Sequence, residues 1–258
     1  MLYYEKITNE KAKEWVLLIH GLGGSTKTWK YQINSLKDKY NLILVDLDGH
    51  GNSKIDKSKT LYKPNQAAKS IYYILFKEHI KQVHIISLSL GTLVALEFTR
   101  LYPQKVSSIV LAGCIINLDK KRKFLLNIVD VIKYILPTKP MYKIFANIIM
   151  PRKNHKKSRE IFIRESLKMN NKSFKLWINS LKQSQSIFYK YIKTLNQYHI
   201  PTLFISGKED YMFLKGIKNL HYKLKSFNLK IFEKCGHVCS IEKSELFNKC
   251  ILKFLKTI

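Results

Sequence analysis

Short apolar runs recur along the chain, with helical patterns between them. The runs are Trp15–Ile19, Leu42–Val45, Val83–Ile86, Ser108–Leu111, Leu203–Ile205 and Leu229–Phe232. A half-exposed strand would alternate apolar and polar positions. Continuous short runs instead suit strands buried on both faces of a parallel sheet. Between them, Thr28–Lys37, Pro64–Glu78, Leu90–Tyr102 and Ser244–Lys256 carry the helical period, with Pro64 at a helix start and Pro103 just past a helix end. This alternation predicts an α/β fold, a doubly wound and mostly parallel sheet. Leu2–Ile7 is expected to add an antiparallel edge strand.

One stretch breaks the alternation. From Asn117 to Leu195 no strand pattern stands out, whereas Phe124–Leu136, Met141–Ile149, Glu160–Met169 and Phe174–Leu181 all show helical spacing. Pro137, Pro140, Pro151 and the basic run Arg152–Arg159 separate them. Several helices between two strands exceed a single crossover. The expected organisation is therefore a core of residues 1–116 and 196–258 carrying a helical cap inserted at 117–195.

Charge adds a question. The net charge is +28, from 46 basic and 18 acidic residues. Such a balance can serve nucleic acid, an anionic surface or an acidic partner. Here the lysines are spread over nearly every segment and no nucleic-acid motif accompanies them, so no nucleic-acid partner is expected. The 117–195 stretch is the most basic, with nineteen Lys and Arg against four Asp and Glu. The plain reading of that density is a solvated surface, and the alternative is a field that attracts an anionic substrate. No signal peptide and no transmembrane run is evident. Cys114, Cys235, Cys239 and Cys250 lack the paired spacing of a zinc site and are read as reduced thiols of a cytoplasmic protein. No metal is expected.

The chemistry concentrates at strand ends. Val83–Ile86 runs into Ser87-Leu88-Ser89-Leu90-Gly91, and a helix follows at once. A strand, a small-x-Ser-x-Gly turn and a helix form the context of a nucleophile elbow, whose small flanking residues let strand and helix crowd together. Ser87 stands where a glycine is usual. After the first buried strand comes His20-Gly21-Leu22-Gly23-Gly24-Ser25, a run suited to donate backbone N–H groups to an oxyanion. After the second comes Asp46-Leu47-Asp48-Gly49-His50-Gly51-Asn52-Ser53.

In this order the motifs resemble the α/β-hydrolase superfamily, and most of all its small bacterial serine esterases and enol-lactonases. The resemblance runs nearly end to end. It implies an acid in Gly-x-x-Asp after a later strand, which Gly207-Lys208-Glu209-Asp210 matches, and a histidine in Gly-His with a Glu shortly after, which Gly236-His237 and Glu242 match. The implied triad is Ser89, His237 and Asp210, with the backbone N–H groups of Leu22 and Leu90 as the oxyanion hole. Glu209 is the neighbouring carboxylate, expected to be solvated, and Asp119 is a second rival for the acid. His20 and His50 resemble loop positions that shape the pocket rim, Asp46 and Asp48 turn residues, and His84 a structural residue. His155, His199 and His221 receive no role. The resemblance implies acyl transfer on a small-molecule ester or thioester without a cofactor, and an acidic acyl carrier protein as a candidate partner. The rival class is a non-hydrolytic protein of the same fold, a lyase or a ligand-binding signalling module.

Overall fold

The computed structural model describes residues 1–54, 60–116, 124, 127–128, 131, 136–169, 171–183, 188–223 and 227–258. The apolar runs are its strands: β1 Tyr4–Ile7, β2 Trp15–Ile19, β3 Asn41–Val45, β4 Val83–Leu88, β5 Val106–Ala112, β6 Thr202–Gly207 and β7 Asn228–Phe232. They form one seven-stranded sheet in the order β1-β3-β2-β4-β5-β6-β7. Only β1 is antiparallel, its Lys6 opposite Ile43 of β3. The remaining pairs are parallel, with Leu17 opposite both Ile43 and Ile85.

Successive strand side chains point to opposite faces. Leu17, Ile19, Ile43, Val45, Ile85, Ile109 and Leu111 therefore pack on one side, together with residues of α2 (Pro64–Lys77) and α3 (Leu90–Leu101). Val16, Leu18, Leu42, Leu44, Ile86 and Val110 pack on the other. There they meet Leu36 of α1 (Lys30–Leu36) and Phe247 and Ile251 at the C-terminal end of the chain. The edge strand β7 departs from the expected double burial, because Asn228 and Lys230 face solvent.

Four described helices lie between β5 and β6: α4 Thr138–Ile149, α5 Lys156–Ser166, α6 Asn171–Gln183 and α7 Phe188–Gln197. Pro140 does not separate helices here. It sits in the first turn of α4, where its missing N–H has no intrahelical partner to lose. The basic run separates α4 from α5 only in its first half, Arg152 to His155, since α5 begins inside it at Lys156. The expected helix 124–136 falls for the most part outside the described residues, as does Asp119. After β6 come α8 Leu214–Lys223, which the spacing did not announce, α9 Cys239–Glu242 and α10 Ser244–Leu255. Among the described residues no helix is long and apolar enough to cross a membrane.

Candidate active site

The site forms where the parallel strands end. Ser89 follows β4 directly and holds φ at +52°, a left-handed conformation that a serine adopts only under constraint. The constraint is the tight turn into α3, fixed by the Ser89 N–H donating to Ala112 O of β5 at 2.9 Å. A Cβ on Gly91 would come within 2.3 Å of Ile19 O, so position 91 must be glycine for helix and sheet to approach. Ser87 fits where glycine is usual, because its buried hydroxyl donates to Val110 O at 2.9 Å.

Ser89 and His237 stand 148 positions apart in sequence and Asp210 and His237 27, yet the sheet edge brings the three together: Ser89 Oγ lies 2.9 Å from His237 Nε2, and His237 Nδ1 lies 2.9 Å from Asp210 Oδ2. Asp210 is wholly buried, and its second oxygen accepts the Phe213 N–H at 3.2 Å. That geometry fixes the imidazole as the Nδ1–H tautomer, with Nε2 free to accept a proton. The ring also packs at 5.0 Å against Phe213.

The glycine loop approaches from β2. Gly24 N–H donates to Gly21 O and Gly23 N–H to His50 Nε2, both at 3.0 Å. Among the described residues no backbone oxygen takes the Leu22 N–H. His20 and His50 are not rim residues. Both rings lie buried beneath the loop. His20 Nδ1–H donates to Gly21 O at 2.7 Å while Nε2 accepts the Leu47 N–H at 3.0 Å. Burial pulls the His20 pKa down and holds that of His50 well below its usual value, so both stay neutral braces. Asp46 takes the turn role expected of it, accepting the N–H groups of Thr26 at 2.7 Å and Asn52 at 2.8 Å.

Two residues set aside on sequence grounds prove central. Glu209 is not solvated: it accepts hydrogen bonds from Arg152 Nη1 at 2.8 Å, Asn154 Nδ2 at 2.8 Å and His155 Nε2 at 2.9 Å. The Asn154 bond is the largest influence holding its carboxyl below the usual range. His155, left without a role, is completely buried and also stands 3.7 Å from Glu242. The basic run is therefore partly tied into the fold. Only the apposition of Gly236, which presents no side chain, lets the His155 ring in. No spacing rule links residue 155 to 209 or 242.

The cysteines beside His237 are poor nucleophiles. Cys235 and Cys239 are wholly buried. The hydrogen bond to Cys235, then burial, raises the Cys239 thiol well above its usual pKa. Burial pushes the Cys114 thiol up to about 12.

Above Ser89 lies a cleft of about 870 Å³, part of it open to solvent. The core contributes Gly21–Gly24, Leu88, Phe213, His237 and Val238, and the β5–β6 helices contribute Phe145, Ile149, Ile161, Phe162 and Leu181. No Lys, Arg, Asp or Glu lines it among the described residues.

A Ser–His–Asp chain at the C-terminal edge of a mostly parallel sheet, entered over a strained strand–helix turn, is the arrangement expected of an α/β-hydrolase fold. Residues 14–130 match the family model for the alpha/beta hydrolase fold. That span includes Ser89 and the glycine loop but ends before Asp210 and His237. A putative 2-succinyl-6-hydroxy-2,4-cyclohexadiene-1-carboxylate synthase of Bacillus subtilis is 26% identical, over 96% of this chain and 92% of its own. The pimeloyl-[acyl-carrier protein] methyl ester esterase of Wigglesworthia glossinidia brevipalpis is 29% identical over 93% of each chain. An esterase from Exiguobacterium antarcticum has the same fold, with a TM-score of 0.84 at 20% identity over 99% of this chain and 95% of that one. The chain is an α/β-hydrolase-fold protein with esterase and hydrolase relatives.

Proposed function

We propose that the protein is a serine hydrolase that cleaves a carboxylic ester or thioester through an acyl-enzyme on Ser89. The observation that carries this reading is the hydrogen-bonded chain from Ser89 Oγ through His237 to Asp210, opening onto an apolar cleft. His237 Nε2 takes the Ser89 proton as Oγ attacks the carbonyl carbon. Asp210 keeps the reactive tautomer and stabilises the imidazolium. The N–H groups of Leu22 and Leu90 hold the developing oxyanion, the second aided by its place at the start of α3. His237 then returns the proton to the leaving oxygen or sulfur. A water deprotonated by His237 releases the acid. The β5–β6 helices act as the cap, and the four free cysteines suit a reducing compartment such as the cytoplasm.

The apolar side chains that line the cleft among the described residues favour an apolar acyl group. A second observation bears on the leaving group. Lys27, Lys30, Tyr31, Arg164 and Glu165 line a neighbouring depression that shares Thr28, Ile161 and Ile241 with the cleft, with Glu165 paired to Arg164 at 3.2 Å. Lys27 and Lys30 beside an apolar cleft suit an acyl group carried on an anion, such as an acyl carrier protein.

The test is labelling with a fluorophosphonate, located by peptide mapping, alongside p-nitrophenyl esters of increasing acyl length. Label on Ser89 and turnover that rises with chain length are expected. An unlabelled, inert protein would leave a ligand-binding module as the better reading. Comparing one acyl group on a neutral ester and on coenzyme A, at low and high salt, tests the role of Lys27 and Lys30. A salt-sensitive advantage for the anionic thioester supports it.

A further inference from the structure

The helix α5 spans the site from one side to the other. At its C-terminal end Phe162 and Ser166 press on Gly23 of the glycine loop, where a Cβ would come within 2.1 Å of Ser166 Oγ. At its N-terminal end His155 enters between the two loops that carry Asp210 and His237. A Cβ on Gly236 would come within 2.7 Å of the His155 ring, so imidazole and backbone are in direct contact one residue before His237.

The hydrogen bonds around His155 are directional. Its Nδ1 accepts the Arg152 N–H at 3.4 Å, which leaves Nε2–H to donate to Glu209 Oε2 at 2.9 Å. Glu209 precedes Asp210, and its own N–H donates to Cys235 O at 2.9 Å. Glu242 faces the same ring. Its carboxylate accepts the Gly236 N–H at 2.6 Å and the Val238 N–H at 3.3 Å, the two peptide groups flanking His237. Ser158 of α5 reaches the same carboxylate at 3.1 Å. The loop bearing the imidazole is thus held on one side by Glu242, and Glu242 is held by the β5–β6 segment.

We propose that His155 is a positioning residue for His237, acting through Glu209, Gly236 and Glu242 and locking α5 to both loops of the triad. A general base must be held within a fraction of an ångström of its proton, and a misplacement of about 1 Å can cost on the order of 100-fold in rate. The activity readout rests on the hydrolase reading above; the spectroscopic readout does not.

The test compares wild type with H155F and H155Q. Phenylalanine fills the ring volume but donates nothing, and Glu209 keeps Arg152 and Asn154, so the variant is expected to fold. For H155F, kcat is expected to fall roughly 10- to 100-fold with KM changed less than about threefold. H155Q, whose amide can still donate to Glu209, recovers part of the loss. His237 faces Asp210 and Ser89, while His155 faces Glu209, Glu242 and, beyond Glu209, Arg152. Loosening the bond to Asp210 removes support for the imidazolium, so the acid limb of kcat/KM in H155F should move to lower pH. Independently of turnover, the proton NMR signal of the His237 Nδ1–H in its bond to Asp210 should shift upfield or broaden in H155F. The proposal is overturned if kcat stays within twofold of wild type at equal folded fraction. It is equally overturned if the loss follows thermal stability alone with the acid limb unmoved, or if the Nδ1–H signal is unchanged. A wild type that neither turns over esters nor labels at Ser89 would sink the hydrolase reading, and the NMR comparison would still decide the role of His155.

Discussion

The two walls of the cleft are built by different means. On the core side the backbone does the work: Ser89 at φ +52°, Gly23 at φ +70°, and N–H groups fixed one by one to Ala112 O, His50 Nε2 and Gly21 O. On the β5–β6 side the wall is made of the apolar teeth of helices, Phe145 and Ile149 of α4, Ile161 and Phe162 of α5 and Leu181 of α6. Hydrogen-bonded geometry fails when one atom is lost. Apolar packing is non-directional and yields gradually as side chains are trimmed. The core wall therefore fixes where charge can develop, and the helical wall fixes what size of group fits. Mutations on the two sides should differ in kind as well as in magnitude.

The largest expected effect is on the core side. Ser89→Ala should lower ester turnover on the order of 10⁶-fold while leaving circular dichroism unchanged. Turnover near that of wild type would remove Ser89 as nucleophile. Asp210→Asn comes next, with kcat lowered by about 10³- to 10⁴-fold through loss of the reactive tautomer. Glu209→Gln should cost much less, since it touches His155 and not His237. A greater loss at Glu209 than at Asp210 would reassign the acid.

Across the cleft, Phe162→Ala and Ile149→Ala should redirect specificity without abolishing catalysis. Both enlarge the space above Ser89, so the preferred p-nitrophenyl acyl chain should lengthen, with kcat/KM on the original best substrate changing about 10- to 200-fold at most. An unchanged chain-length profile in both variants would show that the acyl group lies elsewhere. The basic run is probed more cleanly at Lys153 and Lys156, which are exposed, than at Arg152, whose reversal would place a carboxylate against Glu209.

The core wall could be read in the sequence because its constraints are local. Burial on both faces writes itself as Val83–Ile86 and Leu42–Val45, and the tight turn demands small residues at fixed offsets from Ser89. Asp210 and His237 came from the resemblance to α/β-hydrolases, through Gly207-Lys208-Glu209-Asp210 and Gly236-His237. The helical wall was legible only as period: α4, α5 and α6 appear within a few residues of their expected places, and α7 and α8 were not among the expected helices. His155 was not legible at all. Its partners stand 54 and 87 positions away, and it lies in a run of lysines and arginines whose ordinary meaning is a wet surface. A buried polar network is specified by three-dimensional convergence, which no periodicity records.

The smallest effect expected is one of pH on the folded core beneath the glycine loop. The folded-state pKa of His50 lies well below 6.5, chiefly because burial disfavours its charged form, and that of His20 is lowered for the same leading reason. The unfolded chain binds protons at these histidines near pH 6.5, whereas the folded chain does not. Lowering the pH below that point therefore favours unfolding. Their contribution is fully present above about pH 6.5 and is lost as pH falls toward their folded pKa values, at up to about 1.4 kcal/mol per pH unit for each group. His50→Gln can still accept the Gly23 N–H but does not titrate. It should lower Tm modestly at pH 7.5 and flatten the decline of Tm between pH 6.5 and 5.5 by a few degrees, about 2–4 °C for each kcal/mol in a domain of this size. A decline as steep as that of wild type would mean that His50 charges in the folded state, and the hydrogen bond from Gly23 could then not be the one that holds the loop.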